Sequence, residues 1–189
     1  MSFAPQILHD VAMLMLDTGL GPAEALGLRW TDIHRDYLQV REGKTRYRAP
    51  SVNLTSRVAT MLESRRQDSA SAFVFAAAKT PMLPSSLAHL HAQVRRRLKL
   101  PAEFVLYSLR HTALIRLGES GADAFTIMRI AGHSSVTTSQ RYVHPSSETV
   151  AAAIARLDTS NQQVLNRAAN GKGTDTRTDT VLAPPSVSH

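Results

Sequence analysis

The chain has no cysteine. Disulfide bridges, thiolate nucleophiles and cysteine-ligated zinc sites are therefore excluded from its chemistry. Long apolar runs are also missing. The longest, "VAMLML" (11–16) and "FVFAAA" (73–78), fall far short of the about 20 residues that a bilayer-spanning helix needs. No secretory signal is visible, so a cytoplasmic protein without a membrane span is the default expectation. There is no internal repeat. Acidic residues are in short supply: 15 Asp and Glu stand against 22 Lys and Arg, a formal net charge of +7 and a sequence pI near 10.4. That balance favours a polyanionic partner, either nucleic acid or an anionic membrane surface, although a merely soluble basic protein carries the same signature.

What is present is enough for one good domain. The chain has 189 residues, 43% of them hydrophobic, which supports a sizeable core. Over 5–18, Ile7, Leu8, Val11, Ala12, Leu14 and Met15 share one helical face. "TGLG" breaks that helix, and Pro22 suits the first turn of the next one, 22–29, because it has no N–H to leave unpaired. "DYLQV" (36–40) and "YRAPSVNL" (47–54) read as two strands joined by the "EGKT" turn. Thr55 is placed to cap a helix of about a dozen residues with Val58, Met61 and Leu62 inward, and "AFVF" reads as a short extended piece. Ser85 or Ser86 is placed to cap a helix ending in "RRRLK". Ser108 is placed to cap "LRHTALIRLGES", with Gly121 just past its end. Asp123 opens "AFTIMRIAG", Gly132 stops it, and "SVTTSQRYV" forms a short helix. A last helix runs from Ser146 or Ser147 to about Asn166. From Asn170 on, Gly, Thr, Pro and Ser without a period read as a disordered tail. The expected class is mainly α with a small antiparallel β-hairpin, an α+β arrangement.

Four clusters carry chemical possibilities. The hairpin "REGKTRYR" (41–48) projects Arg41, Lys44, Arg46 and Arg48, either as a solvated basic turn or as a Lys delivered to a phosphate or a DNA groove. "YSLRHTALIRL" (107–117) puts Arg110 and His111 in the first turn of a helix that starts at Ser108. Free N–H groups and the helix dipole attract anions there, and Arg adds a bidentate fork for phosphate oxygens. "AGHSS" (131–135) places His133 just after a helix stop. "SQRYVHP" (139–145) offers Tyr142 between basic neighbours, Arg141 and His144. Taken singly, a lone His is more often structural and a lone Tyr more often core.

Taken together and in order, the clusters resemble the catalytic domain of tyrosine recombinases, the phage-integrase family. "SLRHTALIRLGESGADAFTIMRIAGHSSVTTSQRYVHPS" follows the family pattern over some 40 residues. "TGL…EAL.LRW.DI" is similar to its first box, and "GKT" with "R.AP" to its hairpin. The resemblance covers about 3–157. It implies strand exchange on double-stranded DNA with no metal, ATP or other cofactor. A Tyr hydroxyl attacks a backbone phosphorus in line and leaves a 3′-phosphotyrosyl bond and a free 5′-hydroxyl. A 5′-hydroxyl from another strand then reverses the step. A phenol is protonated near neutrality and needs positioning and help with its proton. The negative charge that gathers on the non-bridging oxygens needs cationic donors already in place.

By this resemblance Tyr142 is the nucleophile, Arg110 the second clamp arginine and Lys44 the proton donor to the leaving 5′-oxygen. His133 bonds a phosphate oxygen, and His111 matches the position immediately after the second Arg. Arg41, Arg46, Arg48 and Arg141 are expected on DNA. Two positions depart from the pattern. The family usually has His three residues before the second Arg, where this chain has Tyr107, a poorer proton acceptor. Its first clamp arginine follows "TGL" directly, where this chain has Gly21. Losing one preorganised donor from a transition-state oxyanion costs ~10²–10³ in rate. Arg29 lies two helical turns on and is expected to face elsewhere.

The expected division is a catalytic domain over 1–169 and a tail over 170–189, with the N-terminal core-binding domain of full-length members absent. Half a clamp should hold DNA weakly and with steep salt dependence. Two function classes follow: a site-specific DNA recombinase or integrase slowed by Gly21, and a non-catalytic DNA-binding remnant or regulator with the same fold. The family's subunits form a tetramer on DNA and exchange C-terminal segments. The last helix, with Val150, Ala153, Ile154 and Leu157 on one face, is expected to join a neighbouring protomer there; a monomer is the alternative without DNA.

Overall fold

Apolar residues spaced three and four apart set the first helix, α1 (Gln6–Thr18), and bury Leu8, Val11, Leu14 and Met15. The computed structural model describes residues 5–40, 51–77, 79–143 and 147–170. Gly19 ends α1 in the left-handed region at φ 66°, with its N–H bonded to the Met15 carbonyl. Gly21 is extended, at φ −77° and ψ 163°, and Pro22 takes the first position of α2 (Pro22–Gly27). A single 3-10 turn, Trp30–Asp32, leads to β1 (Tyr37–Gln39). This strand pairs antiparallel with β2 (Ser51–Asn53), setting buried Leu38 opposite buried Val52. Residues 41–50, between the two strands in the chain, lie outside the described residues, and with them Arg41, Lys44, Arg46 and Arg48.

Thr55 precedes α3 (Ser56–Gln67), which buries Val58, Met61 and Leu62 as its spacing predicts. The Thr55 hydroxyl makes no cap. It donates instead to the Asp17 carboxylate, 2.5 Å away. A second hairpin, β3 (Ala76–Ala77) with β4 (Thr80–Pro81), has two residues a side and no counterpart among the expectations. The following helix, α4 (Pro84–Arg97), starts at Pro84 rather than after Ser85 or Ser86, since a proline at the first helical position leaves no donor unpaired.

The next start also differs from expectation. Helix α5 (Leu106–Glu119) has Val105 at its cap, and Ser108 is already its third residue, reaching back to accept the Val105 N–H at 3.2 Å. Arg110 and His111 therefore belong to the second turn, away from the free N–H groups at the helix start. Helix α6 (Ala124–Ala131) behaves as its signals predict. The Asp123 carboxylate accepts from the N–H groups of Phe125 and Thr126, and Gly132 closes the helix at φ 71°. Ser135 caps α7 (Val136–Gln140).

Two apolar clusters result. The larger surrounds α1, which touches α2, α3, α4 and α5, and it includes Leu20, Leu28, Phe75 and Leu87. The smaller joins Leu114 of α5, Ile127 and Ala131 of α6, and Tyr142. The architecture is mainly helical with small antiparallel sheets, as expected.

The chain divides into two units, Met1–His144 and Pro145–His189. In the second, α8 (Ser147–Asn170) is longer than its expected end near Asn166. It exposes Val150, Ile154, Leu157, Val164 and Leu165, whose spacing puts them along one side of the helix. Of the expected tail, 170–189, Asn170 is the last residue of α8, and 171–189 lie outside the described residues. Among the described residues no helix is long and apolar enough to cross a membrane.

Asp17 ties three elements of the first unit together. Its carboxylate accepts from Thr55 and from Arg57 at 2.7 Å, and the Arg116 guanidinium of α5 stands 3.6 Å away. The Arg57 hydrogen bond is the main reason that the Asp17 carboxyl titrates below its ordinary range, against the opposing effect of burial. A carboxylate favoured in the folded state stabilises it at neutral pH, and that contribution disappears as acid protonates it, below about pH 4. Asp17→Asn is expected to lower the melting temperature at pH 7, with the gap to wild type closing below about pH 4, measured by thermal unfolding across pH.

Candidate active site

Helix α5 presents Tyr107, Arg110 and His111 along one side, and the residues after α6 and α7 bring His133 and Tyr142 to it. Arg110 is 6% exposed, and a guanidinium that buried needs oxygen partners. Its Nη1 donates to the Gly19 carbonyl at 2.7 Å and lies 3.4 Å from Glu24 Oε2. Its Nη2 donates to the Ala131 carbonyl. Those carbonyls belong to the C-terminal ends of α1 and α6, where the helix dipoles are negative and favour a cation. The Arg110 Nε is buried and has no partner among the described residues.

Tyr142 is 5% exposed and its ring belongs to the smaller apolar cluster. Its hydroxyl lies 2.7 Å from His111 Nδ1. The His133 ring stacks near it at 6.3 Å between centroids, and the Arg141 guanidinium sits 5.5 Å from the ring centre. Nδ1 of His133 is 2.8 Å from the hydroxyl of fully buried Ser139. Tyr107 is 46% exposed, meets the His111 ring edge-on at 5.1 Å and lies under the Arg110 guanidinium at 5.8 Å. Arg110, Tyr107, His111, Tyr142 and His133 thus form one continuous set. Arg141 is exposed beside it and its Nε donates to the Thr138 carbonyl.

Gly21 stands one side chain away from Arg110. Glu24 fills the interval: its Oε2 accepts the Gly21 N–H at 2.7 Å and also faces Arg110. A Cβ added to Gly21 would meet that same oxygen at 3.3 Å, the far end of a flexible side chain. With its ordinary extended dihedrals, position 21 accepts a side chain without backbone strain. Arg29 does face elsewhere, as expected: its guanidinium stacks on Phe73 at 4.9 Å.

Three residues enter the site that the motifs did not single out. Glu24 was legible only as the third residue of α2, where an acid caps the helix start. Ser139 orients His133. Gly118 is the third: a Cβ there would fall inside the Tyr142 carbonyl oxygen and 2.9 Å from its carbonyl carbon. Among the described residues no group of three or more His, Asp or Glu could hold a metal ion.

Comparison with known proteins gives this geometry a context. The phage integrase family model matches residues 5–149. The chain belongs to the phage integrase family. Tyrosine recombinase XerD of Bifidobacterium longum (strain NCC 2705) is 46% identical over 44 residues, 23% of this chain and 14% of that protein. The integrase-family fold is shared with the Tn1549 transposon integrase in complex with circular intermediate DNA, at TM-score 0.64 and 20% identity over 79% of this chain and 59% of that one. It is shared with XerA recombinase at TM-score 0.62 and 19% identity over 80% and 56%. XerH recombinase bound to its difH substrate matches at TM-score 0.62 and 18% identity over 79% and 46%. This integrase-family chain thus spans about half of the solved chains and a seventh of the curated relative.

The seat under Tyr142 has a test whose sign is informative. In a helix, Gly→Ala ordinarily stabilises by roughly 0.5–1 kcal/mol. Because Gly118 abuts the Tyr142 backbone, Gly118→Ala is expected to destabilise the protein by about 1–3 kcal/mol, measured by denaturant unfolding. A gain in stability would contradict the close approach.

Proposed function

We propose that this chain is the catalytic domain of a site-specific DNA recombinase or integrase, cutting and rejoining double-stranded DNA through a 3′-phosphotyrosyl intermediate. The observation that carries the reading is the Tyr142 hydroxyl, held 2.7 Å from His111, the residue after Arg110 on α5, with the His133 ring stacked on that of Tyr142, in a member of the phage integrase family. The Tyr142 oxygen bonds to a backbone phosphorus as the bond from phosphorus to the 5′-oxygen breaks. Lys44 gives its proton to the departing 5′-oxygen, which leaves as a hydroxyl. Arg110 and His133 stabilise the charge on the non-bridging oxygens. Arg41, Arg46, Arg48 and Arg141 hold phosphates by charge. The reaction needs no metal or other cofactor, and Tyr107 stands beside His111 and Arg110.

A second reading, a non-catalytic DNA-binding remnant or regulator, is favoured by Gly21 and by the engagement of both Arg110 terminal nitrogens with carbonyls. A pool of singly nicked duplexes of randomised sequence separates the two, with covalent adducts resolved on denaturing gels. The recombinase reading expects an adduct in wild type, none in Tyr142→Phe, and a rate about 10²–10³ higher in Gly21→Arg. An adduct in Gly21→Arg alone supports the remnant. An adduct that survives Tyr142→Phe removes Tyr142 from the nucleophile's role.

The exposed apolar side of α8 supports a homo-oligomer, a tetramer on DNA, in which this helix packs on a neighbouring copy. Sedimentation of the full chain is expected to show association that is lost on deleting 146–189. A monomer at all concentrations, with and without DNA, would count against it.

A further inference from the structure

We infer that His111 is the proton acceptor for the Tyr142 hydroxyl, one helical turn beyond Tyr107, and that the imidazolium formed there supplies positive charge at a site where Gly21 supplies none. The inference rests on the recombinase reading above and assigns a task within it.

A buried phenol must direct its O–H to an acceptor. Among the described residues the Tyr142 hydroxyl has one hydrogen-bond partner, Nδ1 of His111, and the 2.7 Å separation is within reach for proton transfer. A neutral imidazole with its proton on Nε2 presents a lone pair at Nδ1. Tyr107 cannot do this work. A phenol taking a proton from another phenol gains nothing in acidity, and among the described residues the Tyr107 hydroxyl makes no hydrogen bond. Its ring instead lies edge-on to His111 and limits where that imidazole can turn. Among the described residues, the titratable and charged groups beside the pair are Tyr107 from α5, with Arg110 over its ring, and His133 and Arg141 from the other side.

The step balances. The phenolic proton passes to Nδ1 of His111 as the Tyr142 oxygen bonds to phosphorus, and the 5′-oxygen departs with a proton from Lys44. The new imidazolium appears as negative charge develops on the phosphorus centre, so its attraction is stronger in the transition state than in the ground state. In rejoining, the imidazolium returns its proton to the phenol oxygen.

The test measures adduct formation on the randomised pool of nicked duplexes, with gel-shift affinity as control. His111→Gln is expected to slow adduct formation by about 10²–10³-fold with affinity unchanged. Replacing Tyr142 in that variant by a fluorinated tyrosine, whose phenol is more acidic, is expected to recover much of the rate. A wild-type rate in His111→Gln overturns the proposal, as does a deficit that the acidic phenol leaves untouched, since that marks a purely positioning role. A second arm needs no turnover: the His111 ring is titrated by NMR in the free protein, with and without Tyr142→Phe. A shifted midpoint in the variant supports the pairing and an unshifted one overturns it. Absence of any wild-type adduct defeats the recombinase reading, and the NMR arm then decides the pairing alone.

Discussion

The burial of one guanidinium organises the first unit. Arg110 carries a full charge in a place where water contributes little, so oxygen atoms must surround it. Two come from the backbone, at the ends of α1 and α6. Neither carbonyl is available unless both helices stop where they do, and both stop at a glycine in the left-handed region, Gly19 and Gly132. The punctuation of two helices and the position of one cation are therefore a single arrangement. Glu24 adds a partial counter-charge from α2. This leaves Arg110 well fixed and mostly occupied, which bears directly on how much of its charge a phosphate can use.

Tyr142 answers a different requirement. Its ring is apolar filling between α5 and α6, while its hydroxyl belongs to the polar set on α5. An amphipathic side chain suits that boundary. Gly118 permits the close approach of its backbone, and Gly118 lies on the same helix as Arg110 and His111. One rigid element therefore carries the guanidinium, the imidazole and the seat of the tyrosine.

Much of this was legible in the sequence. Periodicity located α1 and α3 with their buried residues, Asp123 marked the start of α6, and glycines marked the ends of α1 and α6. The ordered boxes picked out Arg110, His111, His133 and Tyr142, which the fold brings into one set although they span more than thirty residues. The misses have physical causes. Serine is the usual cap, so Ser108 and Ser85 or Ser86 drew the helix starts too late. Val105 holds an extended conformation without capping, and Pro84 needs no cap partner at its own nitrogen. The β3–β4 hairpin is too short to leave a period of two, and its last strand residue is a proline. Gly118 carries no signal in the sequence, because its reason lies 24 positions away in the chain. Glu24 caps the start of α2, and the same carboxylate also reaches across to α5.

The rooting of Tyr142 in the apolar cluster has a consequence for what becomes of a broken strand. In the reaction proposed above, the severed 3′ end hangs from this one side chain. A nucleophile on a mobile loop would give that end a long leash and let it drift from its partner. Here the backbone is pressed against α5 and the ring is wedged between that helix and α6, so the tether is about as long as a phenol. The break would be held open at nearly fixed position, and the end that returns to it would find the phosphorus where it was left.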